Sequence, residues 1–323
     1  MKNIKLLTIG CIVLLVGFSC KQNAQTSAKS DVIVPEFNAD SAYAYTAAQV
    51  ALGPRVPNTS AHRAGGDFLA GELRRFGAEV IEQEATLRIY DGQTIQAKNI
   101  IASFDLENKN RILLCAHWDS RPFSDEDPDP ANHHKPVDGA NDGAGASAVL
   151  LEIARQIGKH PINTGIDIIL FDAEDWGEPR FDRQGRGGWC LGSEYWAKNP
   201  HIPNYTAKFG ILLDMVSAPN ALFYKEYNSM QFAPHIVRKV WETAQALGYG
   251  NHFINQLGGS IEDDHIQVVK YRKIPTINII QFDPNTPHGF GDYWHTVNDN
   301  MNAVSKETMQ AVGQTVLHVI YNN

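Results

Sequence analysis

The sequence predicts an α/β fold: a three-layer sandwich whose central mixed, mostly parallel sheet is covered by helices on both faces. Three observations predict it. Ile168 to Phe171 is an unbroken run of four large apolar residues, which suits a strand buried on both faces. Arg111 to Ala116 and Phe209 to Leu213 are apolar enough to flank it as central strands. Strand-like and helix-like segments also alternate along the chain, the pattern of a sheet sandwiched by helices.

Taken in order, Ser41 to Leu52 is an Ala- and Tyr-rich helix ended by Gly53-Pro54. A second helix is predicted over Ser60 to Gly77, with Ser60 as cap, Phe68, Leu69, Leu73 and Phe76 as its apolar stripe, and Gly77 as its stop. Val80 to Tyr90 alternates as a strand does, and Asn99 to Phe104 and Arg111 to Ala116 are two more. His117 to Asn141 is rich in Asp, Pro and His and lacks periodicity; a loop of that length in a compact domain is functional or disordered. Ala144 to Ile157 reads as a buried helix, Ile166 to Phe171 as the strand already described, and Trp176 to Gly188 as irregular chain. The remaining elements are a short helix over Ser193 to Lys198, the Phe209 strand, a helix over Pro234 to Leu247, a strand over Ile274 to Ile280 and a last helix over Ala303 to Tyr321. No internal repeat and no clear second domain stand out.

At 323 residues, 43% hydrophobic and 20% charged, the chain can build one large α/β domain or two small ones. A net charge of -8 argues against a nucleic-acid-binding surface, because those carry a basic face.

Lys2 and Lys5 precede an apolar stretch, Leu6 to Phe18, that fits a secretory signal and is too short for a membrane span. Gly17-Phe-Ser-Cys20 resembles a bacterial lipobox, in which Cys20 becomes the lipidated first residue; an ordinary cleaved signal or a short uncleaved anchor are the alternatives. The expected organisation is a signal over residues 1–20, a polar tether over 21–34 and a single catalytic domain over 35–323. That describes an exported protein, periplasmic or a membrane-anchored lipoprotein, touching the membrane only through lipid. Of the four cysteines, Cys115 and Cys190 remain in the body as small buried hydrophobes, and spacing does not say whether they pair.

Polar residues share one address. Leu113 to Ala116 ends at His117-Trp-Asp119, Ile168 to Phe171 ends near Glu174-Asp175, and Gly210 to Leu213 ends at Asp214. If the strands are parallel, these groups converge along one sheet edge. Asp142 at the start of the Ala144 helix, Trp294-His295, and Glu262 to His265 add to them. So many acids and imidazoles repel one another unless a divalent cation sits among them. Carboxylate and imidazole ligands without thiolate suit zinc in a catalytic site with an open position. Each residue alone has a plainer reading: an Asp after a strand is commonly a helix cap, Asp142 above all, and a lone His is commonly a hydrogen-bonded loop residue.

Together, Cys115-Ala-His-Trp-Asp119, Gly139-Ala-Asn-Asp142-Gly, Phe171-Asp-Ala-Glu-Asp175, Leu213-Asp-Met-Val-Ser-Ala-Pro-Asn220, Ile261-Glu-Asp-Asp-His265 and Trp294-His-Thr296 resemble the zinc-dependent glutaminyl cyclases, within the fold family of the di-zinc aminopeptidases. His-x-Asp and Asn-Asp-Gly are shared with the peptidases, whereas Ile-Glu-Asp-Asp-His and the Trp before the ligand His are cyclase-like. The resemblance implies that Asp142, Asp175 and His295 bind one zinc and that Glu174 is the general acid/base. It further implies that Asp214 and Asp263 form a carboxylate network with Glu174. Trp294 walls the substrate pocket, with Trp189, Trp176 and His265 as further lining; core packing is the alternative for Trp189 and Trp176. His117 and Asp214 match positions that hold a second zinc in the peptidases, with Asp119 in support, so one zinc per chain is expected and two stay open. Two departures stand out: Asp175 replaces the Glu of animal cyclases, and Asn141-Asp-Gly-Ala-Gly145 is closer to the peptidases.

The implied activity is glutaminyl-peptide cyclotransfer: conversion of N-terminal Gln of peptides or proteins to pyroglutamate with release of ammonia, by a monomer. A zinc aminopeptidase and a non-catalytic binding lipoprotein are the rival readings.

Overall fold

A computed structural model of the chain describes residues Ile33–Asn323. The signal, Cys20 and most of the expected tether lie outside the described residues. A six-stranded sheet forms the centre, in the order β1-β2-β4-β3-β5-β8. Its strands are β1 (Glu79–Arg88), β2 (Thr94–Phe104), β3 (Arg111–His117), β4 (Gly165–Phe171), β5 (Gly210–Asp214) and β8 (Thr276–Ile280). β3, β4, β5 and β8 run parallel, and β2 returns antiparallel to β4 with β1 beside it at the edge. The sheet is therefore mixed and mostly parallel, as the apolar runs imply.

Alternate residues of these strands feed two separate cores, the two-residue period of a pleated strand. Ile100, Ile112, Leu114, Ile166, Ile168, Leu170, Ile211, Leu213, Ile277 and Ile279 face one layer. That layer is built from α1 (Ala39–Val50), α2 (Ser60–Arg75), α3 (Ala146–Lys159), α6 (Pro234–Ala246) and α8 (Lys306–Tyr321). Ile101, Leu113, Cys115, Ile169, Phe171 and Leu212 face the other, against Trp196 of α4 (Leu191–Lys198), Tyr205, Val268 and Ile274. Burying both faces explains why β3, β4 and β5 read as continuous apolar runs.

Where β4 does carry a charge, Asp167, the charge is fully paired. Arg111 donates to both of its oxygens at 2.6 and 2.7 Å, and Ser103 and Tyr205 hydroxyls donate at 2.6 and 2.8 Å.

Several element edges differ from expectation. The cap of α2 is Thr59, whose side chain accepts the His62 N–H, one residue before Ser60. β2 begins at Thr94, because its outer half pairs with β1 from Arg88↔Thr94 onward. Residues Met301–Ala303 form a separate 3-10 turn ahead of α8. A two-stranded ribbon of β6 (Phe223–Lys225) and β7 (Phe253–Leu257), with the short helices α5 (Tyr227–Phe232) and α7 (Asp264–Gln267), escaped the pattern, being too short to show periodicity. Among the described residues, no helix is long and apolar enough to cross a membrane.

Candidate active site and metal centre

The strand ends carry the site. β3 closes on His117, β4 leads into Asp172-Ala-Glu-Asp175, and β5 closes on Asp214. Because β3 pairs in parallel with both β4 and β5, these ends lie side by side. The chain leaves them through left-handed backbone at residues other than glycine: φ is 52° at Ala173, 47° at Met215 and 53° at His295. Such backbone persists where the surrounding packing dictates side-chain direction, commonly at functional sites.

Asp142 is the hub. Its Oδ1 lies 2.8 Å from His117 Nε2, and its Oδ2 lies 3.6 Å from His295 Nε2. His117 Nε2 is also 3.2 Å from Asp214 Oδ1, and His295 Nε2 is 3.1 Å from Asp175 Oδ1. Two overlapping sets result, Asp142/Asp175/His295 and His117/Asp142/Asp214, each with ligand atoms within 4.8 Å of one another. The approach is close enough that a Cβ on Gly143 would sit 2.7 Å from the His117 ring, so only glycine fits there.

The electrostatics are those of a crowded acidic pocket. Burial pushes Asp142 up to about 7, and the charge of Asp175 adds to this. Asp175 goes the other way: burial alone would raise it, but His295 and Arg121 hold it at about 2. Burial lifts Glu174 and Asp263 well above the usual carboxylate range, with Asp214 adding to the effect at Asp263. For His117, burial favours the neutral ring, and hydrogen bonds to Asp119, Asp142 and Asp214 outweigh it, raising the imidazole well above its ordinary value. Asp175 Oδ2 is buried with no hydrogen-bond partner among the described residues. An orphaned carboxylate oxygen beside a second carboxylate and an imidazole is the donor set a divalent cation satisfies, so the residues present fit zinc.

Several residues support the site without ligating it. Asp119 accepts the N–H groups of Glu174 at 3.1 Å and Asp175 at 3.3 Å, so its role is to hold the strand end. Asp299 accepts the N–H groups of Asn141 and Asp142 at 2.8 and 3.1 Å. Arg121 is buried, clamps both oxygens of Asp125 at 2.6 and 2.7 Å, donates to the Asp175 carbonyl at 3.1 Å and lies 4.7 Å from the Trp189 ring centre. Cys190 places its thiol 3.2 Å from Glu174 Oε1. Sequence reasoning missed Asp299, Arg121 and the Cys190 contact. Arg121 and Asp299 do follow the recognised His117 and His295 by four residues, which is the one hint the chain offers.

Asp142, Asp175, Asp214 and His295 border a cavity of about 310 Å³ whose walls include Glu174, Asp263, Trp189, Trp294, Phe282 and Phe290. Trp294 stacks on His295 with ring centres 3.7 Å apart, and Trp189 lies parallel to that imidazole at 5.9 Å. Two residues expected on the wall stand elsewhere. Trp176 packs against the cluster of Ala85, Leu87 and Ile95 between β1 and β2. His265 is fully buried 3.4 Å from Glu226. Asp263 caps α7 and faces the cavity, and two residues further on, at about 100° per residue, the helix carries His265 to the opposite side. Cys115 and Cys190 are both free and buried.

The profile of peptidase family M28 matches residues 99–320, most of the chain. The chain belongs to peptidase family M28. Among solved M28-like structures, it is 60% identical to a Zn-dependent exopeptidase from Parabacteroides distasonis, over 90% of this chain and 100% of that one, with a TM-score of 0.89. It is 56% identical to Tannerella forsythia glutaminyl cyclase, again over 90% and 100%, with a TM-score of 0.88. Aminopeptidase YwaD of Bacillus subtilis is 26% identical over 84% of this chain, which spans 54% of that protein's length. The M28 fold thus accounts for the strand-end acids, and its relatives carry both cyclase and exopeptidase names.

Proposed function

We propose that the protein is a zinc-dependent glutaminyl-peptide cyclotransferase acting on peptides or proteins with N-terminal Gln. The observation that carries this reading is the small cavity walled by Trp189, Trp294, Phe282 and Phe290 beside a Glu174 of raised proton affinity. Aromatic walls exclude water, which suits attack by a group already tethered within the substrate rather than hydrolysis. The likeness to the T. forsythia cyclase over that protein's full length supports it.

Asp142, Asp175 and His295 are the residues to hold one zinc. Bound there, zinc supplies Lewis-acid polarisation of a carbonyl oxygen. The rest falls to the chain. The acidic cavity draws in the positively charged α-amine of the substrate. Glu174 Oε1 accepts the Cys190 thiol, which leaves Oε2 for proton transfer. Once the α-amine has released its first proton to solvent, Glu174 takes a second proton from it as the nitrogen lone pair bonds to the side-chain amide carbon. It returns that proton to the departing nitrogen as the carbon–nitrogen bond breaks, releasing ammonia. A carboxyl whose proton affinity is raised by burial is matched to taking and returning a proton. Asp263, beside Asp214, adds to burial in raising the affinity of Glu174, while Trp294 fixes the His295 ring by stacking.

A second reading, a zinc aminopeptidase, is favoured by the His117/Asp142/Asp214 set, which offers a second cation position, and by the exopeptidase relative. Incubating the zinc-loaded protein with a Gln-initiated peptide and with a Leu-initiated amide separates the two. Ammonia release without peptide-bond cleavage supports the cyclase; free amino acid from either substrate overturns it.

From the sequence of residues 1–34 we further infer an exported lipoprotein anchored through Cys20. Incorporation of labelled fatty acid that disappears in Cys20→Ser supports this, and unchanged incorporation refutes it.

A further inference from the structure

Glu174, Cys190 and Asp263 form a third cluster of ligating atoms, distinct from the two sets that share Asp142. The Cys190 sulfur and one carboxylate oxygen from each acid lie within 4.8 Å of one another. It shares no residue with the Asp142/Asp175/His295 group and offers what that group lacks, a thiol. The backbone fixes where the thiol stands. Cys190 is fully buried in left-handed conformation at φ 56°, its N–H donates to the Glu174 carbonyl at 2.9 Å, and its own carbonyl accepts the Ser193 hydroxyl and the Glu194 N–H, both at 3.0 Å.

A neighbouring residue independently marks the spot as short of positive charge. Asp264 is completely buried, and neither of its carboxylate oxygens has a hydrogen-bond partner among the described residues. It directly follows Asp263, and its charge weighs on Cys190 ahead of that of Asp263. Glu174 and Asp263 line the cavity, so an ion reaches this cluster from the substrate side.

We propose that Glu174, Cys190 and Asp263, with Asp264 behind them, form an inhibitory site for a thiophilic divalent cation such as cadmium or zinc in excess. Sulfur ligation selects soft and borderline metals over magnesium or calcium. On binding, the metal–sulfur bond replaces the S–H bond, and the thiol proton leaves to buffer, with no change of oxidation state. An ion held between Cys190 Sγ and Glu174 Oε1 draws on the charge of the carboxylate whose other oxygen receives the substrate proton, and so lowers its proton affinity. The inhibitory consequence therefore rests on Glu174 being the base of the cyclase reading, whereas the site itself does not.

The test titrates the zinc-loaded full chain with cadmium and reads three quantities: ultraviolet thiolate-to-cadmium charge transfer, cadmium retained per chain beside zinc after gel filtration, and ammonia release from a Gln-initiated peptide. Cadmium exchanging into the Asp142/Asp175/His295 group adds nothing to the sulfur band, because that group has no sulfur. The expected result is a band rising with one additional cadmium per chain while turnover falls by at least about tenfold, and in Cys190→Ser no band and about tenfold more cadmium for the same fractional inhibition. Absence of the band in the native chain overturns the proposal, as does a band that survives Cys190→Ser. Should Cys190→Ser fail to fold, a cadmium-soaked crystal of the native chain decides, by an anomalous peak within bonding distance of Cys190 Sγ or by its absence there. A sulfur band in a protein that releases no ammonia before cadmium is added sinks the cyclase reading and leaves the metal site standing. Normal turnover without the band does the reverse.

Discussion

Asp299 Oδ2 accepts the backbone N–H of Asp142 at 3.1 Å, while its Oδ1 accepts that of Asn141 at 2.8 Å. One buried carboxylate thereby fixes the loop of one proposed zinc ligand to the segment that carries another, His295. Burial, together with the charge of Asp142, pushes Asp299 up to about 8, so the two acids are held close against mutual repulsion. Asp299→Ala removes the clamp without touching the metal. Zinc affinity is expected to fall by roughly 10–100-fold, checked by competition with a chromophoric chelator; unchanged affinity would show that Asp142 is positioned without it.

Glu174→Gln keeps size and hydrogen bonding but removes the base. Turnover of a Gln-initiated peptide should fall by about 10²–10⁴-fold with zinc still bound at native stoichiometry. Elemental analysis beside the kinetic assay checks both halves; residual activity near native assigns the proton transfer elsewhere.

Asp175→Glu tests the shorter carboxylate. Asp175 is 2% exposed, with Arg121 Nη1 at 3.7 Å and His295 at 3.1 Å. An added methylene drives the carboxylate against His295 or out into the cavity, away from the Arg121 and His295 contacts, and a loss of roughly 1–3 kcal/mol is expected in denaturant unfolding of the metal-free protein. A gain in stability would mean the pocket is looser than its packing implies.

Asp167→Ala leaves the Arg111 guanidinium facing the sheet without its partner. Breaking a buried pair of this kind costs about 3–5 kcal/mol. The midpoint of urea unfolding should shift accordingly, while zinc stoichiometry of the folded fraction stays the same, since the pair sits at the end of the sheet opposite to the site.

Zinc removal leaves the neighbouring carboxylates of Asp142 and Asp175 without a cation. With free zinc at about 1,000 times its Kd, the holo form should be more stable by roughly 4 kcal/mol. Calorimetry before and after chelation checks this; identical unfolding curves would mean that no metal is bound in the native state.

The central strands were legible from sequence because burial on both faces leaves an uninterrupted apolar run, and β3, β4 and β5 each end on the polar residues expected of them. The same reading reached Asp142, Asp175, His295, Glu174, Asp214 and Asp263, since strand ends and motifs place them along one edge. It placed His265 and Trp176 on the cavity wall, where the structure does not: a spacing of two residues reverses the side chain of His265 on α7, and Trp176, one residue past Asp175, packs instead on the apolar cluster of β1 and β2.

What the sequence by itself determined is the central strands, the longer helices, their burial and the edge at which the acids gather, all carried by periodicity within a few neighbouring residues. Only the tertiary structure decided which of those acids come within ligand distance of one another, that Asp142 stands between both histidines, and that Asp299, Arg121 and Cys190 adjoin the site. Those relations join residues as far apart as Asp142 and Asp299. They depend on the parallel register of β3, β4 and β5 and on where each loop folds back, which no local pattern of side chains records.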